Sequence, residues 1–415
     1  MDRTPSCSSL FLDSGNGWLG DPDQKDRYIS FGAPSGSLYF KDGQATVMKG
    51  SKTTLSKRDP LSILEGYLAE GYTAAGYIGY EYSRFTDAGF TPGRVKDGDI
   101  FPDIYFNLYK NEDMSVGDMA QLKYDLSVTN QREKSVNFTN EIKLSSNMDL
   151  TEYKDMVVRA KSYIESGDIY QANLSQRYTA QFNVPPLPYF LRFYRAQPVP
   201  YGCYMDFGRF QLISGSMELF LRKSGNKLLT RPIKGTRRRG QTDELDTVMR
   251  AELVGSSKER AENLMIVDLM RNDLGRICEP GSVQVNNLFE INSFSTLHQM
   301  VSEVEGTLSG DKKVSEIIDN VFPPGSVTGA PKKRTLEVID ELEPHLRGPY
   351  CGALGIFYPD GDFVLSVGIR LLVTQAEKAT FWVGGGIVWD SDPEKEYEET
   401  LLKSYAVKKA FGITE

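Results

Sequence analysis

The chain is poor in the residues that build soft metal sites and disulfide frameworks. Its 415 residues include four cysteines and two histidines. Cys7, Cys203, Cys278 and Cys351 lie far apart with no CxxC pair, which argues against a zinc site and against a disulfide scaffold. With His298 and His345 as the sole imidazoles, any metal has to be held mainly by carboxylates, a donor set that favours a hard ion such as Mg2+. Long hydrophobic runs are missing too, and no stretch approaches the ~18 apolar residues of a membrane span. The start, "MDRTPSCSSLFLDSGNGW", has no basic segment leading into an apolar core, so it does not read as a secretory signal. Nor is there an excess of positive charge. The net charge of -8 excludes a general grip on nucleic-acid phosphates. A cytoplasmic protein that binds neither nucleic acid nor membrane is expected.

What is present is an ordinary globular composition, 40% hydrophobic and 25% charged, on a chain long enough for a large core. Residues up to about 145 carry short alternating and aromatic runs such as "GSLYF", "YTAAGYIGYEYSRF" and "DIYFNLYK", broken by Gly, Pro and Asp, which predicts strands and turns. The polar stretch Val128–Asn147 predicts a boundary, dividing 1–147 from 148–415. From Asp149 a helical period places Tyr153, Met156, Val157, Ala160 and Ile164 on one face, with Gly167 as the stop. Strand-like runs then alternate with helices, without a βαβ period. The fold class expected is α+β, with large, mostly antiparallel sheets and helices packed outside.

Against this acidic background "RPIKGTRRRG" (Arg231–Gly240) sets one lysine among four arginines. Lys234 ends the hairpin-like stretch "SMELFLRKSGNKLLTRPIKGT", whose turn signal is "SGN". Glu218 and Lys234 lie equally far from Asn226, so in-register pairing brings them together. A neutral amine can act as a nucleophile, favoured when nearby cations disfavour the ammonium form, and a carboxyl of raised pKa can protonate a leaving oxygen. The same spacing fits a surface ion pair equally well.

Two further stretches offer carboxylates three residues apart, hence on one helix face. "SSKERAENLMIVDLMRNDLGRI" enters a helix at Ser256 or Ser257 and carries Glu259 and Glu262. "DSDPEKEYEETLLKSYAVKKAFG" starts at Asp392 or Pro393, can end at Gly412, and carries Glu396 and Glu399. Facing each other they would make an oxygen-rich cage for Mg2+. Taken singly, a Ser256–Glu259 capping box and a Glu399–Lys403 ion pair explain them as well. The glycines at 384–386 suit close approach of an anion to backbone N–H groups. Arg370, among apolar neighbours in "VLSVGIRLLV", needs a partner if buried, either an internal acid or a substrate carboxylate.

In order along the chain, "GDIYQANLSQRY", "RPIKGTR", "KERAENLMIVDLMRNDLGRI", "HQMVSEVEG", "FPPGSVTGAPKKRTLEVIDELEP", "YCGALGIFYPDGD" and "GGGIVWDSDPEKEYEETLLKS" resemble the chorismate-utilising enzymes. These are the anthranilate, aminodeoxychorismate, isochorismate and salicylate synthases, and the resemblance runs nearly continuously over residues ~151–408. It implies the chorismate-binding fold of anthranilate synthase component I, with 1–147 as its N-terminal subdomain. Gln171 stands where the water-adding members carry a lysine, which implies an amine-adding branch. Lys234 in "PIKGT" stands where anthranilate synthases usually have alanine and is similar to the aminodeoxychorismate synthase pattern.

Carried over residue by residue, the resemblance implies that Mg2+ is bound by Glu262 and Glu399, with Glu259 and Glu396 holding waters or outer contacts. Lys234 is then the nucleophile, Glu218 the general acid, and His298 lies near the ring. Ser326, Tyr350, Arg370, Lys403 and the amides of Gly384, Gly385 and Gly386 contact substrate carboxylates. The general-acid segment reads "SMELF" where relatives often have Ser-Pro-Glu. No cysteine sits in the Gly-x-Cys-x-Gly elbow of an amidotransferase, so ammonia is expected to come from a separate glutamine amidotransferase subunit or from solution. A separate lyase would complete p-aminobenzoate synthesis for folate.

Overall fold

The computed structural model describes residues 7–20, 26–90, 101–122, 144–294 and 297–410. Two antiparallel sheets, one of ten strands and one of twelve, face each other. One apolar core lies between them, drawing Phe11, Phe106, Leu174, Phe220, Phe357 and Trp382 from widely separated parts of the chain. A second core lies beneath the Pro186–Ala196 helix, where Phe190 and Phe193 meet Ile213, Leu372 and Phe381. Strand Ser9–Asp13 feeds both, with Phe11 facing one core and Leu10 and Leu12 the other. This is the α+β, helices-outside architecture expected.

Both sheets take strands from either side of residue 147. Ser9–Asp13 pairs with Tyr201–Asp206, and Thr73–Ile78 pairs with Ala353–Phe357. The expected division at 147 is therefore not a division between sheets. Residues 123–143, most of the polar stretch that motivated it, lie outside the described residues, as does Gly412. "YTAAGYI" is a strand, but "YEYSRF" is a 3-10 turn, Tyr80–Phe85, which begins immediately after Gly79.

The elements that build the site follow in chain order. Helix α1 (Leu150–Glu165) starts at Asp149, whose carboxylate caps Glu152 N–H at 2.9 Å, and buries Tyr153, Met156, Val157 and Ala160. Gly167, at φ 80°, turns the chain into β1 (Gln171–Gln181). Strands β2 (Leu219–Ser224) and β3 (Lys227–Arg231) form the hairpin, and β4 (Ile233–Arg238) follows. Helix α2 (Asp243–Gly255) leads to α3 (Ser257–Gly275). Then come β5 (Leu297–Thr307), β6 (Leu371–Gln375), β7 (Lys378–Ile387) and α4 (Pro393–Ala410).

The hairpin turns at Gly225–Asn226, yet Glu218 and Lys234 are not cross-strand partners in its ladder. An irregularity between Leu219 and Arg222 shifts the register, so that Leu219 faces Arg231. Pro232, which has no N–H to give, then separates β3 from β4, and β4 pairs with β5 instead. The two side chains still meet, because Glu218 folds toward the chain just past Pro232, where its carboxylate accepts the Ile233 N–H at 3.4 Å.

Candidate active site

The site forms where β7 loses one neighbour. β7 pairs with β1 from Gln181↔Lys378 to Ala172↔Ile387, whereas its ladder with β6 ends at Leu372↔Phe381. Beyond Phe381 one edge is open. Asn173 N–H bonds to Thr328 O and Ser175 N–H to Glu343, both away from β7. Their partners Gly386 and Gly384 therefore stand in non-hydrogen-bonded pairs and direct their own amides and carbonyls to the open edge. The Gly384 carbonyl accepts from Lys403 Nζ there, at 2.8 Å. Gly385, paired with Leu174, has its amide committed to the ladder. Of the three glycine amides expected to meet a substrate, two point the right way.

Glycine lets polar side chains come close to this edge. A Cβ on Gly386 would stand 2.7 Å from Gln171 Nε2 and 3.3 Å from Lys234 Nζ, and one on Gly385 would stand 3.3 Å from Glu396 Oε2. Gln171, Lys234 and the acidic helix α4 thus converge on three consecutive residues. Gln171 is fully buried, and neither its amide oxygen nor its amide nitrogen has a partner. Such a group costs free energy unless something else satisfies it.

Glu218 is 4% exposed. Burial pushes its carboxyl up to about 7, against the pull of a Ser326 hydrogen bond, the Lys234 charge and the Ile233 amide. Burial likewise lowers the Lys234 amine, aided by Lys403 and opposed by Glu262, Glu218 and Glu399. The arginine cluster plays no part in this, contrary to the sequence reading. Arg231 pairs with Glu303 at 3.4 Å, Arg237 with Glu259 at 3.2 Å, and Arg239 with Asp246 at 2.6 Å. Their partners come from other elements, which the run of charge could not reveal.

Helices α3 and α4 bring their carboxylates within electrostatic reach of one another, which the spacing alone could not show. Ser256 caps α3 at the Glu259 N–H, and Asp392 accepts from the N–H groups of Glu394 and Lys395 at the start of α4. Burial raises the Glu262 carboxyl, and the charges of Glu259 and Glu396 raise it further. Glu396 is raised by burial and by Glu399, while Lys403 lowers Glu399. Each carboxylate has a local partner: Arg237 on Glu259, Lys258 at 3.9 Å from Glu262, Ser391 at 2.7 Å from Glu396, and Lys403 at 2.7 Å from Glu399. Among the described residues no three His, Cys, Asp or Glu side chains converge on one metal position in this arrangement. The donor chemistry, all oxygen and mutually repelling, fits a hard divalent cation.

Arg370 adopts φ 50°, uncommon for a long side chain. Burial lowers its pKa, opposed by the neighbouring Tyr350 phenol. No carboxylate among the described residues pairs with it. Of the two candidate partners open in the sequence, the internal acid is absent. Tyr350 stacks on Trp382 with centroids 6.0 Å apart and planes 7° apart.

His298, expected near the ring, lies at the start of β5 facing α2. It is fully buried, with Nδ1 on Ser293 Oγ at 2.8 Å and Nε2 on Asp246 Oδ1 at 3.0 Å, so both ring nitrogens are occupied. Sequence reasoning also missed a buried pair behind the site, Arg347 with Glu343 at 2.7 Å, and a second, Lys332 with Asp273 at 2.6 Å. Nothing in "EPHLRGPY" or "GAPKKR" distinguishes a buried cation from a solvated one.

The open strand edge, the amine–carboxyl pair and the facing acidic helices lie together and form the candidate site. The family of chorismate binding enzymes matches residues 16–409, and the chain belongs to it. It is 43% identical over 272 residues, 66% of this chain and 56% of the relative, to an anthranilate synthase component 1 of Haloarcula marismortui. It is 42% identical over 263 residues, 63% of this chain and 56% of the relative, to the aminodeoxychorismate synthase component 1 of Bacillus subtilis. The matched part spans little more than half the length of these relatives. The crystal structure of anthranilate synthase component I from Streptococcus pneumoniae superposes with a TM-score of 0.78 at 27% identity, covering 93% of this chain and 92% of that one.

Proposed function

We propose that this chain aminates chorismate at C4 to give 4-amino-4-deoxychorismate, with Lys234 as the covalent nucleophile. The observation that carries the reading is Lys234 itself, an amine whose pKa burial lowers, set beside Glu218, whose carboxyl burial raises to about 7. Relatives of nearly equal identity bear both the anthranilate and the aminodeoxychorismate names, so overall similarity does not separate the branches. A lysine at this position is what supports the amination branch.

In this reading Arg370, the open-edge amides of Gly384 and Gly386, Ser326 and Tyr350 receive the substrate's carboxylates. Neutral Lys234 Nζ attacks ring C2, both conjugated ring double bonds shift by one position, and the C4–O bond breaks as Glu218 gives its proton to the departing hydroxyl, leaving water. Ammonia, oriented by the otherwise unpartnered Gln171 amide, then adds at C4 and gives a proton back to Glu218. Both double bonds return and the C2–N bond to Lys234 breaks, freeing the amine. The enolpyruvyl group stays on. Glu262 and Glu399, with Glu259 and Glu396 behind them, would hold a magnesium ion that neutralises the ring carboxylate. The component 1 names of the relatives, and the expectation of a separate amidotransferase, make glutamine-derived ammonia the natural supply.

Product identity tests the proposal. Protein, chorismate, Mg2+ and ammonium salt should yield a species in which hydroxyl is replaced by amine and the enolpyruvyl group is retained. Anthranilate with free pyruvate would overturn the amination reading in favour of the other branch.

A further inference from the structure

Behind the site, Arg347 is 1% exposed and reaches four parts of the chain. Its guanidinium donates to Val327 O at 3.1 Å, to Asn173 O, and to both oxygens of Glu343, at 2.7 and 2.9 Å. Its face lies 4.4 Å from the Tyr80 ring centroid. Its own N–H and that of Gly348 bond to the Glu81 carboxylate at 2.7 and 2.8 Å, and Tyr350 N–H bonds to its carbonyl at 3.1 Å.

Three of the anchored segments bear a residue of the proposed site. Val327 follows Ser326, the donor to Glu218. Asn173 lies two residues along β1 from Gln171, on the same face. Tyr350 closes the turn that starts at Arg347. Glu343 also accepts Ser175 N–H and Oγ–H at 2.7 and 2.8 Å, which pins β1 to the same point. A charge this deeply buried needs full satisfaction, and here two backbone carbonyls and one carboxylate supply it.

We propose that Arg347 is a positioning residue: its guanidinium, held by Glu343 and Tyr80, fixes the Ser326 turn, strand β1 and the Tyr350 turn relative to one another, and so sets the hydrogen bond under which Glu218 holds its proton. The proposal rests on the reading of Glu218 as the general acid and reaches the N-terminal segment through Tyr80 and Glu81. Glu218 is faced by Ser326, Lys234 and the Ile233 amide, and its charge is felt by Cys351; Arg347 acts on it through Ser326.

The test is the titration of the Glu218 carboxyl, followed by infrared difference spectroscopy with Glu218→Gln as the reference, which needs no turnover. In Arg347→Lys the shorter cation cannot hold both carbonyls and Glu343, so Ser326 loosens and the Glu218 midpoint rises. Misplacement of this kind should also lower kcat on the order of a hundredfold. Glu343→Gln, which keeps the shape and removes the charge, should move the midpoint the same way and serves if the lysine variant does not fold. Ser326→Ala should raise it directly. A midpoint that stays at its wild-type value in either folded clamp variant, or in Ser326→Ala, overturns the proposal. Full activity of Glu218→Gln would instead overturn the general-acid reading and leave the titration result to stand by itself.

Discussion

Half-buried Arg370 and buried Glu218 are both charged residues set away from water, and each has a readable consequence. Arg370 has no acidic partner among the described residues, and burial alone lowers its pKa. Replacing it with methionine should leave the fold about as stable, since Arg370 is half-buried and no carboxylate among the described residues pairs with it. Chorismate affinity should fall at least about 30-fold, as for loss of one partner in a buried charge pair. Equilibrium binding and thermal melting measured on the same variant check both halves. Loss of stability without loss of affinity would mean that Arg370 serves the core.

Glu218 gives a pH dependence whose sign follows from the direction of its shift. Its folded pKa, about 7, is above the ordinary glutamate value of 4.5, so the native state holds the proton more tightly than the unfolded chain. The stability this contributes is fully present below pH 4.5 and is lost as pH rises through about 7. Displacement of the C4 hydroxyl should lose rate over the same upper range, because the acid form disappears. Glu218→Gln should lose activity yet be more stable than wild type at pH 8, by on the order of 1–2 kcal/mol. Denaturant unfolding at pH 5 and pH 8 checks this, the difference between the variants appearing at the higher pH.

Among the elements, the β7 edge shows how one strand can be structural at one residue and functional at the next. A Cβ on Gly384 would meet the Leu174 carbonyl oxygen at 2.5 Å, a backbone atom that cannot step aside. Gly384→Ala should therefore cost about 1–3 kcal/mol of stability by overpacking. A Cβ on Gly386 meets instead the ends of Gln171 and Lys234. Gly386→Ala should melt close to the wild type and lose activity on the order of a hundredfold through displaced reacting groups. Steady-state rates beside melting curves separate the two glycines.

Local signals explain which elements could be read in advance. The starts of α1, α3 and α4 were visible at Asp149, Ser256 and Asp392, because capping is decided within a few residues. The strands in "GSLYF" and "YTAAGYI" followed from alternation. The register of the β2–β3 hairpin was not legible, since its irregularity near Leu219–Arg222 forms against a strand far along the chain, Phe363–Val367. The partners of Arg231, Arg237 and Arg239 and the burial of Arg347 depend on tertiary packing for the same reason. Most of the candidate site residues were named from the resemblance. Their convergence on the open edge of β7 came only from the fold.

At the scale of the whole molecule, the acidic helices, the β7 edge and the Glu218–Lys234 pair are brought together by two sheets that share one core, with strands from the first hundred residues built into both. No helix among the described residues is long and apolar enough to cross a membrane. The chemistry assigned to the family is common to several branches, and the reading that separates this chain from its anthranilate-named relatives is the covalent role of Lys234. The most direct measurement is the intact mass of the protein after incubation with chorismate and Mg2+ in the absence of ammonia. The account predicts a protein species heavier by chorismate less one water, mapped to Lys234 by peptide fragmentation, discharged by added ammonium and absent from Lys234→Ala. An unmodified protein that nonetheless turns chorismate over once ammonium is added would contradict it.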